Sequence, residues 1–380
     1  MRFEDKTYRN VFLEIGKNEA EIEERVQNTF NEIFYGENRF FYMNDEETMG
    51  YLVDTGNNDV RTEGMSYGMM MCVQLDKKKE FDCIWNWART YMYLDEGDNA
   101  GYFAWSVSPQ GVKNAFGAAP DGEEYFAMAL LFASHRWGDG EGIFNYSKEA
   151  RELLHTIIHK GEDGVGRAMW DRKNYLIRFI AERDFSDPSY HLPHFYELFA
   201  LWANEEDREF WKKAAEASRD FLKKACNSKT GLSSEYSTFD GQPYSGEQEI
   251  FGRHDWYFSD AYRTIANIGL DYEWFAKDME YGKWCKTNAD NLQTFFMDTV
   301  KNDNRKIYTI EGEIIDMDAL HPVAITATNA QASLASSGKY SLECVKEFWD
   351  TPLREGERRY YDNCLYMFAM LALSGNYRIY

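Results

Sequence analysis

Hydrophobic residues recur along most of this chain three or four residues apart, which is the spacing of helices. Six segments are long, charged and amphipathic, as expected of helices with one buried face. These segments are Glu19–Gly36, Lys78–Tyr93, Ser147–Lys160, Glu205–Cys226, Lys283–Met297 and Ser341–Trp349. Strand-like segments are few: "RKIYTIEGEII" (Arg305–Ile315) predicts a hairpin with Glu311 and Gly312 in its turn, and "NYLIRFIAE" (Asn174–Glu182) predicts a second strand pair.

Six further segments are rich in small residues, aromatic residues and Met, and they are apolar on most sides, which is typical of buried helices. They follow Glu63, Asp121, Tyr190, Asp260, Pro322 and Tyr361. Because the two kinds of segment alternate along the chain, we predict an all-α fold. The predicted architecture is an (α/α)6 barrel of six inner and six outer helices, with small β-hairpins in its loops. A right-handed stack of helical pairs is the alternative.

The inner helices of such a barrel begin at one end of the ring, so their first residues and the preceding loops converge. These positions supply carboxylates, arginines and aromatic rings: Glu63, Asp121, Asp187, Asp260, Arg263, Arg358, Arg359, Trp105, Tyr190, Trp256, Tyr360 and Tyr361. Any one acid in a first helical turn is explained by capping and by the helix dipole. Their convergence indicates a carbohydrate cleft, because sugars stack on aromatic faces and hydrogen-bond with charged groups.

Composition narrows the class of ligand and the location. The chain has 42 basic and 64 acidic residues, a net charge of −22, so we expect neither nucleic acid nor an anionic membrane as a partner. The N-terminal "MRFEDKTYRN" lacks the apolar stretch of a signal peptide, and no run of 18 apolar residues is present. The six cysteines form no CxxC pair and predict buried free thiols in a reducing cytoplasm.

No linker rich in Pro, Gly or Ser and no charged tail divides the chain, so we predict one domain over residues 1–380. Five motifs at the predicted helix starts then occur in order: "RTEGMSYGMM", "APDGEEYFAMAL", "DPSY", "SDAYR" and "YYDNCLYMFAMLALSG". They closely resemble glycoside hydrolase family 8, from about Asp54 to the C-terminus. The resemblance implies a catalytic (α/α)6 barrel, inversion at the anomeric carbon, and no metal or other cofactor.

Inverting hydrolysis requires one protonated and one ionised carboxyl group, about 6.5–9.5 Å apart. The resemblance implies that Glu63 is the general acid and Asp260 the general base. The apolar segment behind Glu63 favours its protonated form by desolvation, although the helix N-terminus opposes this. Arg263 lies on the same helical face as Asp260 and favours the carboxylate, but a structural ion pair is the alternative. Asp187 is the competing candidate base, although Pro188 after it is typical of an N-cap.

The same resemblance implies that several residues bind substrate. Asp121 would bind the sugar at the point of cleavage, and the alternative is an N-cap with Glu124 at the capping-box position. The aromatic and basic candidates are Trp105, Tyr190, Tyr360, Tyr361 and Arg263. Arg263 would orient the substrate or the base. For the adjacent pair Tyr360 and Tyr361, the alternative is that one of them belongs to the core and does not bind substrate.

The loop "LHP", which contains His321, resembles the branch of the family that removes xylose from the reducing end of xylo-oligosaccharides. The resemblance implies that this loop closes the cleft and that His321 contacts the anomeric hydroxyl of the end sugar, with Pro322 stiffening the loop. An ordinary loop histidine is the alternative. His191 and His194 share a helical face but lack a nearby third ligand, so no metal site is predicted.

The prediction is therefore an inverting glycoside hydrolase that acts on xylo-oligosaccharides, with an endo-acting β-1,4-xylanase as the alternative within the family. A polysaccharide lyase or a sugar epimerase could use the same barrel, but a lyase acting on uronates requires a basic cleft that this acidic chain lacks. A non-catalytic carbohydrate-binding protein would not require both Glu63 and Asp260. The sequence makes no prediction of the oligomeric state.

Overall fold

The computed structural model describes residues 7–246 and 253–380, and its main helices lie in two rings. A short helix, α1 (Val11–Glu14), precedes them. In chain order the others are α2 (Glu19–Tyr35), α3 (Thr62–Gln74), α4 (Lys78–Trp87), α5 (Pro120–Trp137), α6 (Tyr146–His159), α7 (Pro193–Trp202), α8 (Arg208–Ala225), α9 (Tyr262–Trp274), α10 (Glu280–Thr294), α11 (Pro322–Gln331), α12 (Ser341–Asp350) and α13 (Arg359–Leu373).

The odd-numbered helices from α3 to α13 form the closed inner ring. Each packs against the next, α3 on α5, α5 on α7, α7 on α9, α9 on α11 and α11 on α13, and α13 returns to α3. The outer helices α4, α6, α8, α10 and α12 each pack on the inner helix that precedes them, and α2 packs on α13. Because the ring closes, the predicted (α/α)6 barrel is confirmed and the open stack of helical pairs is wrong.

Burial distinguishes the two rings as the residue patterns predict. In the inner helix α5, every residue of 120–133 is buried. In the outer helix α8, buried residues such as Trp211, Ala214, Ser218 and Leu222 recur three or four apart, which leaves the opposite face to solvent. The ends predicted for the outer helices nearly agree with those in the structure. Helices α4 and α10 each continue into a single π-helical turn, Ala88–Met92 and Phe295–Thr299.

Small β-sheets lie in the loops. They consist of β1 (Phe41–Met43) with β2 (Gly50–Leu52), β3 (Val60–Arg61) with β4 (Ser106–Val107), and a three-stranded sheet of β5 (Trp256–Tyr257), β6 (Lys306–Thr309) and β7 (Ile314–Asp318). All paired strands are antiparallel. The predicted hairpin is therefore confirmed as β6–β7, and Gly312 in its turn has a φ of +95°, which glycine adopts readily.

The second predicted strand pair, over Asn174–Glu182, is wrong. This segment contains turns and one isolated bridge, between Trp170 and Ile177. The carboxylate of Asp171 accepts hydrogen bonds from the backbone N–H groups of Lys173 and Asn174, and such an aspartate turn competes with strand pairing.

One cluster of buried hydrophobic side chains includes residues from Val11 to Ile379, which supports our proposal of a single domain over residues 1–380. All six cysteines are buried and free, as predicted. Among residues 7–246 and 253–380, no helix has the length and apolar character needed to cross a bilayer. Part of the N-terminal stretch used in the signal-peptide argument, residues 1–6, lies outside the described residues.

Candidate active site

The guanidinium of Arg263 lies at the centre of the inner-helix starts. Arg263 is in the first turn of α9 and is only 4% exposed. Its Nη1 donates hydrogen bonds to Asp121 Oδ2 at 2.8 Å and to the Tyr67 hydroxyl at 2.7 Å. The same nitrogen lies 3.4 Å from Glu63 Oε2, and Nη2 lies 3.2 Å from Asp260 Oδ1. One cation therefore contacts three carboxyl groups from three inner-helix starts.

Glu63 lies at the start of a helix whose other residues are buried. It lies in the first turn of α3, where all but the acid itself is buried from Thr62 to Gln74, and its side chain is 15% exposed. The Tyr360 hydroxyl donates a hydrogen bond to Glu63 Oε1 at 2.9 Å. Burial raises the pKa of Glu63 to about 8, and the neighbouring Asp121 and Asp260 charges add to this, against the opposing effect of Arg263. As expected, burial outweighs the influences that favour the charged form.

The glycine after Glu63 permits this hydrogen bond. A Cβ atom added at Gly64 would overlap the phenol of Tyr360. Gly122, at the start of α5, allows the same kind of approach, because a Cβ atom there would overlap the side chain of Thr62. The two glycines bring α13 and α5 against the start of α3, so that Glu63 is enclosed on both sides.

Asp260 lies in a more open part of the cluster, and its side chain is 29% exposed. Two contacts hold the loop that carries it. The Asp260 N–H donates to Glu235 Oε1 at 3.2 Å, and the Tyr361 hydroxyl donates to the carbonyl of Ser259 at 3.1 Å. Ser259 has a φ of +35°, a backbone conformation that non-glycine residues rarely adopt and that the surrounding contacts must maintain.

Asp187, the competing candidate base, acts as a cap. Its Oδ1 accepts a hydrogen bond from the Ser189 N–H at 2.7 Å, at the start of the short 3-10 turn Pro188–Tyr190. It is fully buried, and this burial raises the pKa of its carboxyl well above the usual value. A buried neutral acid is a poor base, so the geometry favours Asp260 over Asp187.

The N-cap alternative for Asp121 is wrong. Ala119 occupies the cap position of α5, with Pro120 as the first helical residue. Asp121 directs its carboxylate to Arg263 instead, and Glu124, at the expected capping-box position, accepts a hydrogen bond from the Tyr196 hydroxyl at 2.9 Å. Burial raises the pKa of Asp121, and Arg263 opposes that change.

The predicted aromatic residues surround the cluster at different depths. The rings of Tyr190 and Tyr361 lie 5.4 Å and 5.9 Å from the Arg263 guanidinium carbon, and both residues are buried. Trp105 is half-buried, and its carbonyl accepts a hydrogen bond from the N–H of Thr62, next to Glu63. The Arg61 guanidinium lies 5.3 Å from the Trp105 ring. Among Trp105, Tyr190, Tyr360 and Tyr361, Trp105 is therefore the aromatic residue with surface available for a sugar.

His321 directly precedes α11 and joins the cluster through Tyr361. The two rings lie 4.8 Å apart. His321 Nδ1 lies 2.8 Å from Asp362 Oδ2, and Arg354 pairs with the same carboxylate while donating to the carbonyl of Leu320. Asp362 also accepts the N–H of Ala324 in the first turn of α11. A buried carboxylate thus links the "LHP" loop, α11 and α13, so His321 is more constrained than an ordinary loop histidine.

The pair His191 and His194 does not form a metal site. His191 is buried between the hydroxyls of Ser186 and Ser218, each 2.8 Å from a ring nitrogen. His194 lies among aromatic rings, and its two ring nitrogens have no hydrogen-bond partner within residues 7–246 and 253–380. Arg359, another residue of the predicted convergence, instead donates to the carbonyls of Asn38 and Arg39.

Sequence reasoning missed two residues that contact the cluster. Tyr67 lies four residues after Glu63 on the same face of α3, so helical spacing could have found it. Glu235 gave no such signal, because it lies in an irregular loop, 25 residues from the Asp260 N–H that it binds. Its other oxygen, Oε2, lies 2.8 Å from His254 Nδ1.

Several known proteins are similar to this chain in sequence and in architecture. The chain matches glycosyl hydrolases family 8 over residues 40–375. Over its whole length it is 58% identical to the reducing end xylose-releasing exo-oligoxylanase of Halalkalibacterium halodurans, with 96% of that protein covered. It is also 54% identical to the reducing-end xylose-releasing exo-oligoxylanase Rex8A of Paenibacillus barcinonensis, covering 100% of this chain and 98% of that protein.

A solved structure of a Rex8A mutant complexed with 3(3)-alpha-L-arabinofuranosyl-xylotetraose has the same fold, with a TM-score of 0.96. The comparison covers 100% of this chain and 98% of that chain, at 54% identity. Because the family match and these relatives extend over nearly the whole chain, this protein belongs to family 8 of the glycosyl hydrolases. It is therefore a glycoside hydrolase, as the five sequence motifs predict.

Removing the charge of Asp121 tests the electrostatics of the cluster. In Asp121→Asn, we expect the alkaline limb of kcat/KM against pH to move to lower pH by about one unit, because the Asp121 charge raises the pKa of Glu63. Asp187→Asn is the matched control, since burial raises the pKa of Asp187 well above its usual value and so already favours the neutral form that the amide imitates. An unmoved limb in Asp121→Asn, or equal shifts in the two variants, would contradict this electrostatic coupling.

Proposed function

We propose that this protein is an inverting glycoside hydrolase that releases xylose from the reducing end of xylo-oligosaccharides. The observation that carries the proposal is its near full-length similarity, at 58% and 54% identity, to two proteins named for this activity. The cluster of carboxyl groups around Arg263 gives the proposal a chemical basis.

In the proposed reaction, Glu63 is the general acid. Because burial raises its pKa to about 8, Glu63 carries a proton at neutral pH and can donate it to the oxygen of the leaving sugar. The Tyr360 hydroxyl, 2.9 Å from Oε1, orients the carboxyl group. Above pH 8 the proton is lost, so activity should fall as the pH rises through this value.

Asp260 is the proposed general base and would activate a water molecule on the far face of the sugar ring. Its partial exposure suits a group that must meet water. Asp260 and Glu63 contact different nitrogens of Arg263 and not each other, which supports a gap between them for the sugar and the water. Asp121, ion-paired with the same guanidinium, is the proposed ligand of the sugar at the cleavage point.

We assign substrate binding to Trp105, Tyr190, Tyr360, Tyr361 and Arg263 as well. Trp105 offers a sugar-stacking face. The buried Tyr190, Tyr360 and Tyr361 contribute to binding mainly by positioning the other groups of the cluster. Tyr360 orients Glu63, and Tyr361 supports the Asp260 loop. Arg263 has both predicted roles, since it pairs with Asp260 and also reaches Asp121.

The exo action is assigned to the loop around His321. A histidine at the end of a cleft can hydrogen-bond with the anomeric hydroxyl of a terminal sugar, provided that the loop does not move. The contacts of Asp362 with His321, Arg354 and Ala324 supply that rigidity. The names of both relatives favour this exo activity over the endo-acting β-1,4-xylanase and over a non-catalytic carbohydrate-binding protein.

A xylo-oligosaccharide is the proposed partner, in keeping with the arabinofuranosyl-xylotetraose complexed with the Rex8A mutant. We also propose a cytoplasmic location. Six free buried cysteines suit a reducing compartment, and an intracellular enzyme of this kind would act on imported oligosaccharides.

Hydrolysis of xylohexaose, followed by proton NMR, tests the proposed reaction. We expect xylose and xylopentaose as first products, with the α-anomer at the new reducing end of the pentaose because direct attack by water inverts the β-linkage. Glu63→Gln should lower the rate by more than about 100-fold, the effect of losing a general acid. Early mid-chain fragments would contradict the exo activity, a β-anomer would contradict inversion, and normal turnover by Glu63→Gln would contradict its role.

Replacing His321 tests the origin of exo action. Wild-type protein should hydrolyse xylohexaose much faster than its reduced form, which ends in xylitol and lacks the anomeric hydroxyl. In His321→Ala this preference should fall by at least about tenfold, the value of one good hydrogen bond. His135→Ala is the control and should keep the preference, because His135 lies in the last turn of α5, at the opposite end of that helix from Asp121. An unchanged preference in His321→Ala would contradict the assignment.

A further inference from the structure

A cluster of two histidines and an aspartate lies on the outer ring, away from the Arg263 cluster. His155 and His159 are four residues apart on α6, so they project from one face of the helix. Their rings stack with centroids 4.1 Å apart. Asp207, which directly precedes α8, lies beneath them with a side chain only 1% exposed. The potential ligand atoms of these three residues lie within 4.8 Å of one another.

The contacts of the cluster place a carboxylate oxygen at each ring nitrogen of His159. His159 Nε2 lies 2.6 Å from Asp207 Oδ1, and His159 Nδ1 lies 2.9 Å from Glu162 Oε1. A neutral imidazole has one N–H and cannot donate to a carboxylate at each nitrogen. A second proton on the ring satisfies both contacts, and so does a cation bound at Nε2, because the single proton then stays on Nδ1 and is donated to Glu162.

This arrangement is one that metal-binding histidines commonly have. A ligating imidazole usually donates its second N–H to a carboxylate, which orients the ring. Glu162 is placed to accept that N–H, and Arg172 in turn pairs with Glu162. His155 Nδ1, 2.9 Å from Asp207 Oδ2, supplies a second nitrogen on the same carboxylate.

We propose that His155, His159 and Asp207 bind a divalent transition-metal ion such as Zn²⁺ and thereby link α6 to the start of α8. Two imidazoles and a carboxylate suit Zn²⁺, Ni²⁺ and Cu²⁺, with water completing the coordination. Bonds of about 2.0–2.2 Å to one ion separate the ligand atoms more than hydrogen bonds do, so both imidazoles move outward. Their side chains, 44% and 25% exposed, have room to do so on the solvent side.

The ion is structural. His155, His159 and Asp207 have no contact with Arg263, Glu63 or Asp260 among their hydrogen bonds and ion pairs in the described chain. The proposed ion therefore lies apart from the proposed catalytic groups, and we expect hydrolysis to proceed without it. The rival explanation is a doubly protonated His159 that bridges Asp207 and Glu162 with no ion.

Calorimetric titration of tag-free, EDTA-treated protein with ZnCl₂ tests the proposal. We expect one Zn²⁺ per chain, and a melting temperature that rises on the order of 3 °C at Zn²⁺ about 100-fold above Kd. In His155→Ala the affinity should fall by at least about tenfold, and Glu162→Gln should weaken it by a similar factor. His135→Ala, which removes a histidine elsewhere on the surface, should bind Zn²⁺ as the wild type does.

Circular dichroism and the hydrolysis rate before metal addition establish that each variant is folded. The rate should not change in EDTA, because the ion lies outside the active site. Absence of Zn²⁺ binding by the wild type would overturn the proposal in favour of the protonated bridge. Equal affinity in the wild type and His155→Ala would overturn it as well, by assigning the ion to other residues.

Discussion

One buried guanidinium contacts three carboxyl groups, and the candidate active site depends on this arrangement. Arg263 brings Glu63, Asp121 and Asp260 together from the starts of three inner helices and the loops before them. A single positive charge cannot balance three negative charges in a buried site, so a proton on one of the acids is favoured, and Asp121 has the shortest contact with Arg263, at 2.8 Å. Burial raises the pKa of Glu63 to about 8, whereas Asp260 is the more exposed. One ion-pair network thus contains both a deeply placed acid with a raised pKa and a more exposed carboxyl group, which is the kind of pair that our proposal of inverting hydrolysis requires.

The barrel makes this network possible. Closure of the inner ring, in which α13 packs on α3, brings the Tyr360 hydroxyl to Glu63, 297 residues away in the chain. Gly64 and Gly122 permit the close approach of neighbouring helices at this end. Rigid helices thereby hold groups that loops alone would leave mobile. The loop at His321, which we propose closes the cleft, is fixed to the same frame through Asp362.

The fold was largely predictable because the inner and outer helices differ in a local property, the number of apolar faces. The positions of Glu63 and Asp260 in the candidate site were predictable because they lie at the starts of such helices and match family motifs. The contact of Glu235 with the Asp260 N–H was not, since it depends on how an irregular loop packs. The strand pair over Asn174–Glu182 failed for a similar reason: side-chain hydrogen bonds from one aspartate redirect the backbone there.

The protonation state of Glu63 is the central claim, and carbon-13 NMR measures it directly. Protein labelled at the glutamate carboxyl carbons is titrated with base, and the signal missing from Glu63→Gln is assigned to Glu63. Our account predicts that this signal titrates with a pKa of about 8, so that the acid is protonated at neutral pH. A pKa near the ordinary value of about 4.3 would mean that Glu63 is ionised at neutral pH and would contradict the account.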